Sequence, residues 1–129
     1  MIMANPILLD TDVLVDFLRG HNKAVVLVND YSYRIILSSI VIAELYAGIN
    51  GEDEQVALDK FVSLFRVIPV NTEIAKAGGF YKRQFDRSHG IGLAAANIPA
   101  SVEVKNAELK ALNIRRYAMI KGLAPAYKK

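Results

Sequence analysis

The sequence predicts an α/β fold, a three-layer α/β/α sandwich around a mainly parallel central sheet. Three observations carry this reading. Short apolar runs of strand length alternate along the chain with longer capped or amphipathic segments, the pattern of strands joined by helical crossovers. At 129 residues and 53% hydrophobic composition, the chain can bury a core as one domain, residues 1–129, without cross-links. No internal repeat or low-complexity linker divides it.

Residues 7–9 are apolar and read as a buried strand. Asp10 or Thr11 caps a helix over residues 12–18, and Gly20 stops it. A second helix is expected over 23–31 and a second strand over 34–38. Ser38 and Ser39 cap a helix over 40–49 that ends at Asn50 and Gly51. An acidic stretch, 52–59, opens a helix running to about residue 65. Residues 67–70 form a third strand, placed by Pro69 at a sheet edge or a strand end. Asn71 and Thr72 cap a long helix over 73–85. Gly78 and Gly79 weaken that helix by propensity, so close packing against a neighbour is expected, and with Phe80 and Tyr81 it reads as a dimer contact. Residues 86–92 read as a loop and 108–112 as the last strand.

Composition excludes several classes. With no cysteine there are no disulfides and no thiolate metal sites, which fits a reducing, cytoplasmic setting. No apolar run approaches the roughly 18 residues needed to span a bilayer, so no membrane association is expected. Residues 1–6 make a poor signal peptide. The net charge of +3 is uneven, because Arg115, Arg116, Lys121, Lys128 and Lys129 crowd the end of the chain and no acid follows Glu108. Such an end attracts phosphate backbones, with Arg115 and Arg116 the better candidates and Lys128 and Lys129 equally readable as a solvated tail.

The chemistry centres on Asp10-Thr11-Asp12, where the first strand leaves the sheet. Carboxylates at that edge of an α/β fold lie where ligands and metals bind. Glu44, inside the apolar stretch Ile40-Val41-Ile42-Ala43-Glu44-Leu45-Tyr46, is costly to bury unless a cation neutralises it. Asp10, Ser39 and Glu44 are therefore expected to face one cleft. Taken singly, Asp10 or Asp12 reads as a helix cap and Glu44 as a helix-edge residue. A phosphate loop at Gly90-Ile91-Gly92 lacks its third glycine and preceding strand, and His89 reads as a loop histidine before it reads as a general base.

The segments Leu-Leu-Asp10-Thr-Asp12-Val-Leu-Val-Asp16-Phe-Leu-Arg-Gly20 and Ser-Ser-Ile-Val-Ile-Ala-Glu44-Leu-Tyr-Ala-Gly48 resemble the first two motifs of PIN-domain proteins. The match is closest to the VapC ribonuclease toxins of bacterial and archaeal toxin–antitoxin pairs. It continues through residues 88–94 and 106–113, so it covers nearly the whole chain. The resemblance implies a parallel-sheet sandwich and RNA cleavage dependent on Mg²⁺ or Mn²⁺. It also implies a homodimer and inhibition by a VapB-like antitoxin. Carried over by position, Asp10 and Glu44 match acidic metal-site residues and Asn113 the fourth polar position.

One segment departs from the family pattern. After Gly-Ile-Gly-Leu-Ala the family usually has an aspartate, its third metal-site acid, and here the residue is Ala95. Four positions on, Pro99 falls inside the expected helix, where proline removes a hydrogen bond at a cost of about 3 kcal/mol. The helix is therefore expected to start near Pro99 or to kink there, with Asn97 as a cap. Glu103 lies about 12 Å further along a helix axis and Asn97 about 200° round from 95, so neither replaces the acid. Asp12 is the candidate substitute, making Asp10, Asp12 and Glu44 the expected metal set and Asp10, Glu44 and Asn113 the catalytic set. Ala111 stands where relatives often have a threonine. The readings are a metal-dependent ribonuclease with a weakened site, an inactive PIN protein that binds an antitoxin or RNA, or an unrelated α/β binding protein in which Asp10 is only a cap.

Overall fold

In the computed structural model, which describes residues 4–129, four strands form one parallel sheet flanked by helices. The side chains of residues 86–89, including His89 considered above as a base, lie outside the described residues. The strands are β1 (Ile7–Leu9), β2 (Ile35–Ser38), β3 (Arg66–Ile68) and β4 (Glu108–Lys110), in the order β3-β2-β1-β4. β1 is central, with Ile7 opposite both Ile35 and Glu108, and its three side chains are wholly buried. A strand buried on both faces carries no polar alternation, which is why Ile-Leu-Leu suffices here. β3 takes an edge, and Pro69 follows its last residue, so proline's missing N–H costs the ladder nothing.

Helices α1 (Thr11–Leu18), α2 (Asn22–Asp30), α3 (Ser39–Gly48), α4 (Gly51–Ser63), α5 (Thr72–His89) and α6 (Leu93–Lys105) fill the connections. Their starts are chemically marked. Asp10 accepts from the Thr11 amide, Ser38 from the Ile40 amide and Asn71 from the Ile74 amide. Gly20, at φ +79°, ends α1 in the left-handed region that disfavours a side chain. A short 3₁₀ turn, Ser32–Arg34, precedes β2.

Two expectations need correction. Residues 86–89, read as loop, continue α5. α6 starts at Leu93, six residues before Pro99, and Asn97 is no cap but an interior residue of the helix. Pro99 has no N–H to give the Ala95 carbonyl, yet residues 96–101 are all buried, and burying such a stretch outweighs one lost bond. Two side chains add local bonds: Asn97 Nδ2 donates to the Leu93 carbonyl at 2.9 Å and Ser101 Oγ to the Asn97 carbonyl at 2.7 Å.

The glycine pair works within the chain. A Cβ on Gly78 would stand 2.7 Å from Asn97 Oδ1, so α5 approaches α6 closely at that point, while Gly79 faces open space. The close helix contact read from Gly78 and Tyr81 as a dimer contact is thus α5 on α6 of the same chain, leaving only Phe80 of that segment's aromatics exposed. Tyr81 likewise turns inward and donates a hydrogen bond to Glu103, whereas Phe80 is exposed.

Candidate functional site

All four strands run in one direction, so their C-terminal ends share one edge, and Asp10 leaves β1 at its middle. The backbone N–H of Asp10 donates to the Lys110 carbonyl at 3.0 Å, fixing the end of β1 against β4. Its carboxylate is fully buried. Oδ1 accepts from the Thr11 amide at 2.8 Å. Oδ2 accepts from the Tyr117 hydroxyl at 2.7 Å and from Arg116 Nη2 at 3.3 Å. A carboxylate oxygen has two lone pairs, and both on Oδ2 are engaged.

Asp12 faces the backbone. Oδ1 accepts from the Val13 amide at 2.8 Å, and Oδ2 from the Leu112 and Asn113 amides at 3.0 and 2.9 Å. Burial pushes the Asp12 carboxyl above the usual range, against the pull of these amide bonds and with the help of the Asp10 charge. Asp12 thus pins the chain as it leaves β4. Four residues on, Asp16 accepts from the Tyr127 hydroxyl at 2.7 Å and from Lys129 Nζ at 3.1 Å. The Tyr127 hydrogen bond, aided by Lys129, holds Asp16 below the ordinary carboxylate value.

The three acids that leave β1 and enter α1 therefore all bind the C-terminal segment, residues 112–129. The basic end, read as attracting phosphate or as a solvated tail, is tied to the fold while Lys128 and Lys129 stay exposed. Lys129 pairs with Asp16, Lys23 donates to the Lys128 carbonyl, and the Ala126 amide donates to the Ala111 carbonyl at 2.8 Å. His21 stacks on Tyr127 with ring centres 5.5 Å apart. Arg116, expected to be available to phosphate, is turned inward onto Asp10, while Arg115 is exposed.

Glu44 is exposed on α3, the helix-edge position it has when read singly, because the helix turns that face to solvent. Its Oε1 accepts from Thr11 Oγ1 at 2.9 Å, which brings Glu44 beside the start of α1. Ser38, not Ser39, supplies the cap there. Asn113 is exposed, and its amide is held by Asp12. Ala95 is partly buried on α6 and brings no donor. Beside Glu44 an apolar groove of about 340 Å³ runs between α1, α3 and α4, lined by Val15, Leu18, Leu45, Ile49 and Leu58 with Arg19 at its rim.

A hard divalent cation needs several converging oxygens that are not otherwise engaged. Among the described residues, no three His, Cys, Asp or Glu side chains converge to hold one. Asp10 is bonded to a guanidinium and a phenol, Asp12 to three amides, and Glu44 stands nearly alone. The residues in this arrangement do not fit the metal that the family resemblance implies. Arg116 and Tyr117 were legible only as a basic and an aromatic residue, since nothing local in their sequence marks a partner more than a hundred positions away.

A parallel sheet whose first strand delivers an acid to its C-terminal edge, with a second acid from the helix after the next strand, defines an α/β protein of the acidic-site type. The PIN-domain family pattern matches residues 7–113, and the chain belongs to that family. Among relatives, it is similar to Ribonuclease VapC19 of Mycobacterium tuberculosis, with 36% identity over 124 residues covering 93% of this chain and 98% of that protein. It is also similar to Ribonuclease VapC10 of the same organism, with 33% identity over 128 residues covering 94% and 92% respectively. Among solved structures, a toxin–antitoxin complex from Klebsiella pneumoniae shares the fold at a TM-score of 0.81 and 22% identity, over 95% of this chain and 98% of that one. Among the described residues, no helix is long and apolar enough to cross a membrane.

Proposed function

We propose that this chain is a VapC-type PIN protein of a toxin–antitoxin pair whose ribonuclease centre is weakened, and that it acts chiefly by binding a VapB-like antitoxin. The observation that carries this reading is Asp10, fully buried and bonded to Arg116 and Tyr117. Metal-assisted hydrolysis of a phosphodiester needs carboxylates free to hold a cation and activate water. Asp10 is engaged, Ala95 has no carboxylate, and Asp12 serves the backbone.

The antitoxin reading is supported by the solved toxin–antitoxin complex that shares the fold and by the groove beside Glu44. Leu18 is 41% exposed at that groove, and with its apolar neighbours it suits an amphipathic helix or strand of a partner. The homodimer implied by the family would use the outer face of α5, where Phe80 is 54% exposed. Light scattering of the purified chain reads this directly, and a monomer at micromolar concentration overturns it.

A second reading, slow RNA cleavage dependent on Mg²⁺ or Mn²⁺ with Glu44 and Asn113 beside Asp10, is favoured by one observation. The Arg116 side chain is 33% exposed and meets Asp10 through one hydrogen bond, and this reading requires a cation to displace it. The experiment incubates the full chain with labelled RNAs and either ion at millimolar concentration, and separately measures complex formation with a VapB-like antitoxin from the same genome. The expected result is no cleavage above the protein-free control and a stable complex that Leu18→Glu disrupts. Metal-dependent cleavage abolished by Glu44→Gln would establish the second reading and overturn the first.

A further inference from the structure

The loop after β4 delivers two side chains to one carboxylate. The Leu112 and Asn113 amides are held by Asp12, and the Tyr117 amide donates to the Ile114 carbonyl at 3.1 Å, closing a turn. A second turn follows, with the Ile120 amide donating to the Tyr117 carbonyl at 2.9 Å. These bonds leave Arg116 and Tyr117 facing the C-terminal edge of β1. The Tyr117 ring is 1% exposed and the Arg116 guanidinium lies 5.2 Å from its centre. Arg116 Nε is buried without a hydrogen-bond partner, so the guanidinium enters the site for the carboxylate and not for a full set of bonds.

We infer that Arg116, assisted by the Tyr117 hydroxyl, is the resident counter-ion of Asp10, and that it excludes a divalent cation from this carboxylate independently of the missing acid at Ala95. The argument is one of charge and lone pairs. Asp10 carries one negative charge, Arg116 supplies one positive charge at 3.3 Å, and the pair is neutral without a further ion. Both lone pairs of Oδ2 are bonded, and the third bond from the Thr11 amide reaches Oδ1. A cation arriving at Asp10 must expel the guanidinium or stand against a like charge in a partly dry site. The loop is anchored at its far end by Tyr127 and Lys129 on Asp16, so expelling Arg116 works against a closed strap.

This inference rests on the reading of a weakened centre but assigns the weakness to a residue that remains present. It predicts that restoring the acid alone does not restore metal binding. Mn²⁺ alone is titrated into full-length Ala95→Asp and into Ala95→Asp with Arg116→Gln, followed by calorimetry and by the electron spin resonance of free Mn²⁺. The double variant is expected to bind at least about tenfold more tightly than the single one. Equal affinities, or no binding by either, overturn the inference. Should the double variant not fold, the side-chain Nε–Hε resonance of Arg116 in the native chain is followed during Mg²⁺ titration. It is expected to stay in place at millimolar Mg²⁺, and a saturating shift overturns the inference. Antitoxin complex formation is measured on the same proteins. Its absence overturns the proposed function and leaves the Mn²⁺ comparison standing.

Discussion

Tyr117→Phe isolates the bond that locks Asp10. The ring is retained, so no cavity opens, and the change removes one hydroxyl donating to a fully buried carboxylate at 2.7 Å. A hydrogen bond to a charged group contributes about 1.5–3 kcal/mol, and Asp10 keeps Arg116 and the Thr11 amide, so a loss near the middle, about 2 kcal/mol, is expected. That is roughly a thirtyfold shift in the folding equilibrium. With about 2.1 cal/mol/K of unfolding entropy per residue, Tm should fall by about 7 °C for 129 residues.

The pH dependence supplies a second, sharper readout. Burial first, then the Asp10 charge and hydrogen bond, push the Tyr117 hydroxyl far above the usual phenol value. A group whose pKa is raised on folding contributes its full stability below its unfolded value, about 10, and loses it as the pH rises further. The difference between native and Tyr117→Phe should therefore be constant from neutrality to about pH 10 and then shrink by about 1.4 kcal/mol per unit. Urea titrations at a series of pH values measure both quantities. A difference under about 0.5 kcal/mol at pH 7, or one that persists unchanged at strongly alkaline pH, would refute the assigned role of the Tyr117 bond.

Two neighbouring glycines should respond with opposite sign. Gly78→Ala places a methyl 2.7 Å from Asn97 Oδ1, whose side chain is buried and tied to the Leu93 carbonyl, so it should lose about 1–3 kcal/mol by urea denaturation despite the gain in helix propensity. Gly79→Ala meets nothing and should gain about 0.5–1 kcal/mol, and a matching sign at both positions would contradict the α5–α6 contact. Asp16→Asn should cost about 1 kcal/mol at pH 7 and expose residues 124–129 to limited proteolysis. Because the Asp16 pKa is lowered on folding, its contribution exists above the unfolded value of about 4 and fades as pH falls through the folded one, so the difference between the two proteins should close in acid.

Much of the scaffold is written locally. Ile-Leu-Leu between polar residues, the caps Asp10, Ser38 and Asn71, and the stop at Gly20 each act over a few positions, so strands and helix starts fall within a residue or two of their expected places. Pro69 at the end of an edge strand follows from the same local chemistry. α6 does not. Pro99 argues for a break, and the helix runs through it because residues 96–101 are buried by elements distant in sequence.

The acids divide in the same way. Local sequence is enough to place Asp10 and Asp12 where β1 gives way to α1, to put Glu44 after the next strand, and to show that Ala95 lacks a carboxylate. What those acids face depends on contacts that only folding brings together. Asp10 meets Arg116 and Tyr117, Asp12 the Leu112 and Asn113 amides, and Asp16 Tyr127 and Lys129, each partner about a hundred residues away. A carboxylate at a strand end has the same local sequence whether a metal ion or a guanidinium balances it. Its charge is settled by whichever cation the fold carries into reach, and here the parallel pairing of β4 with β1 carries in Arg116.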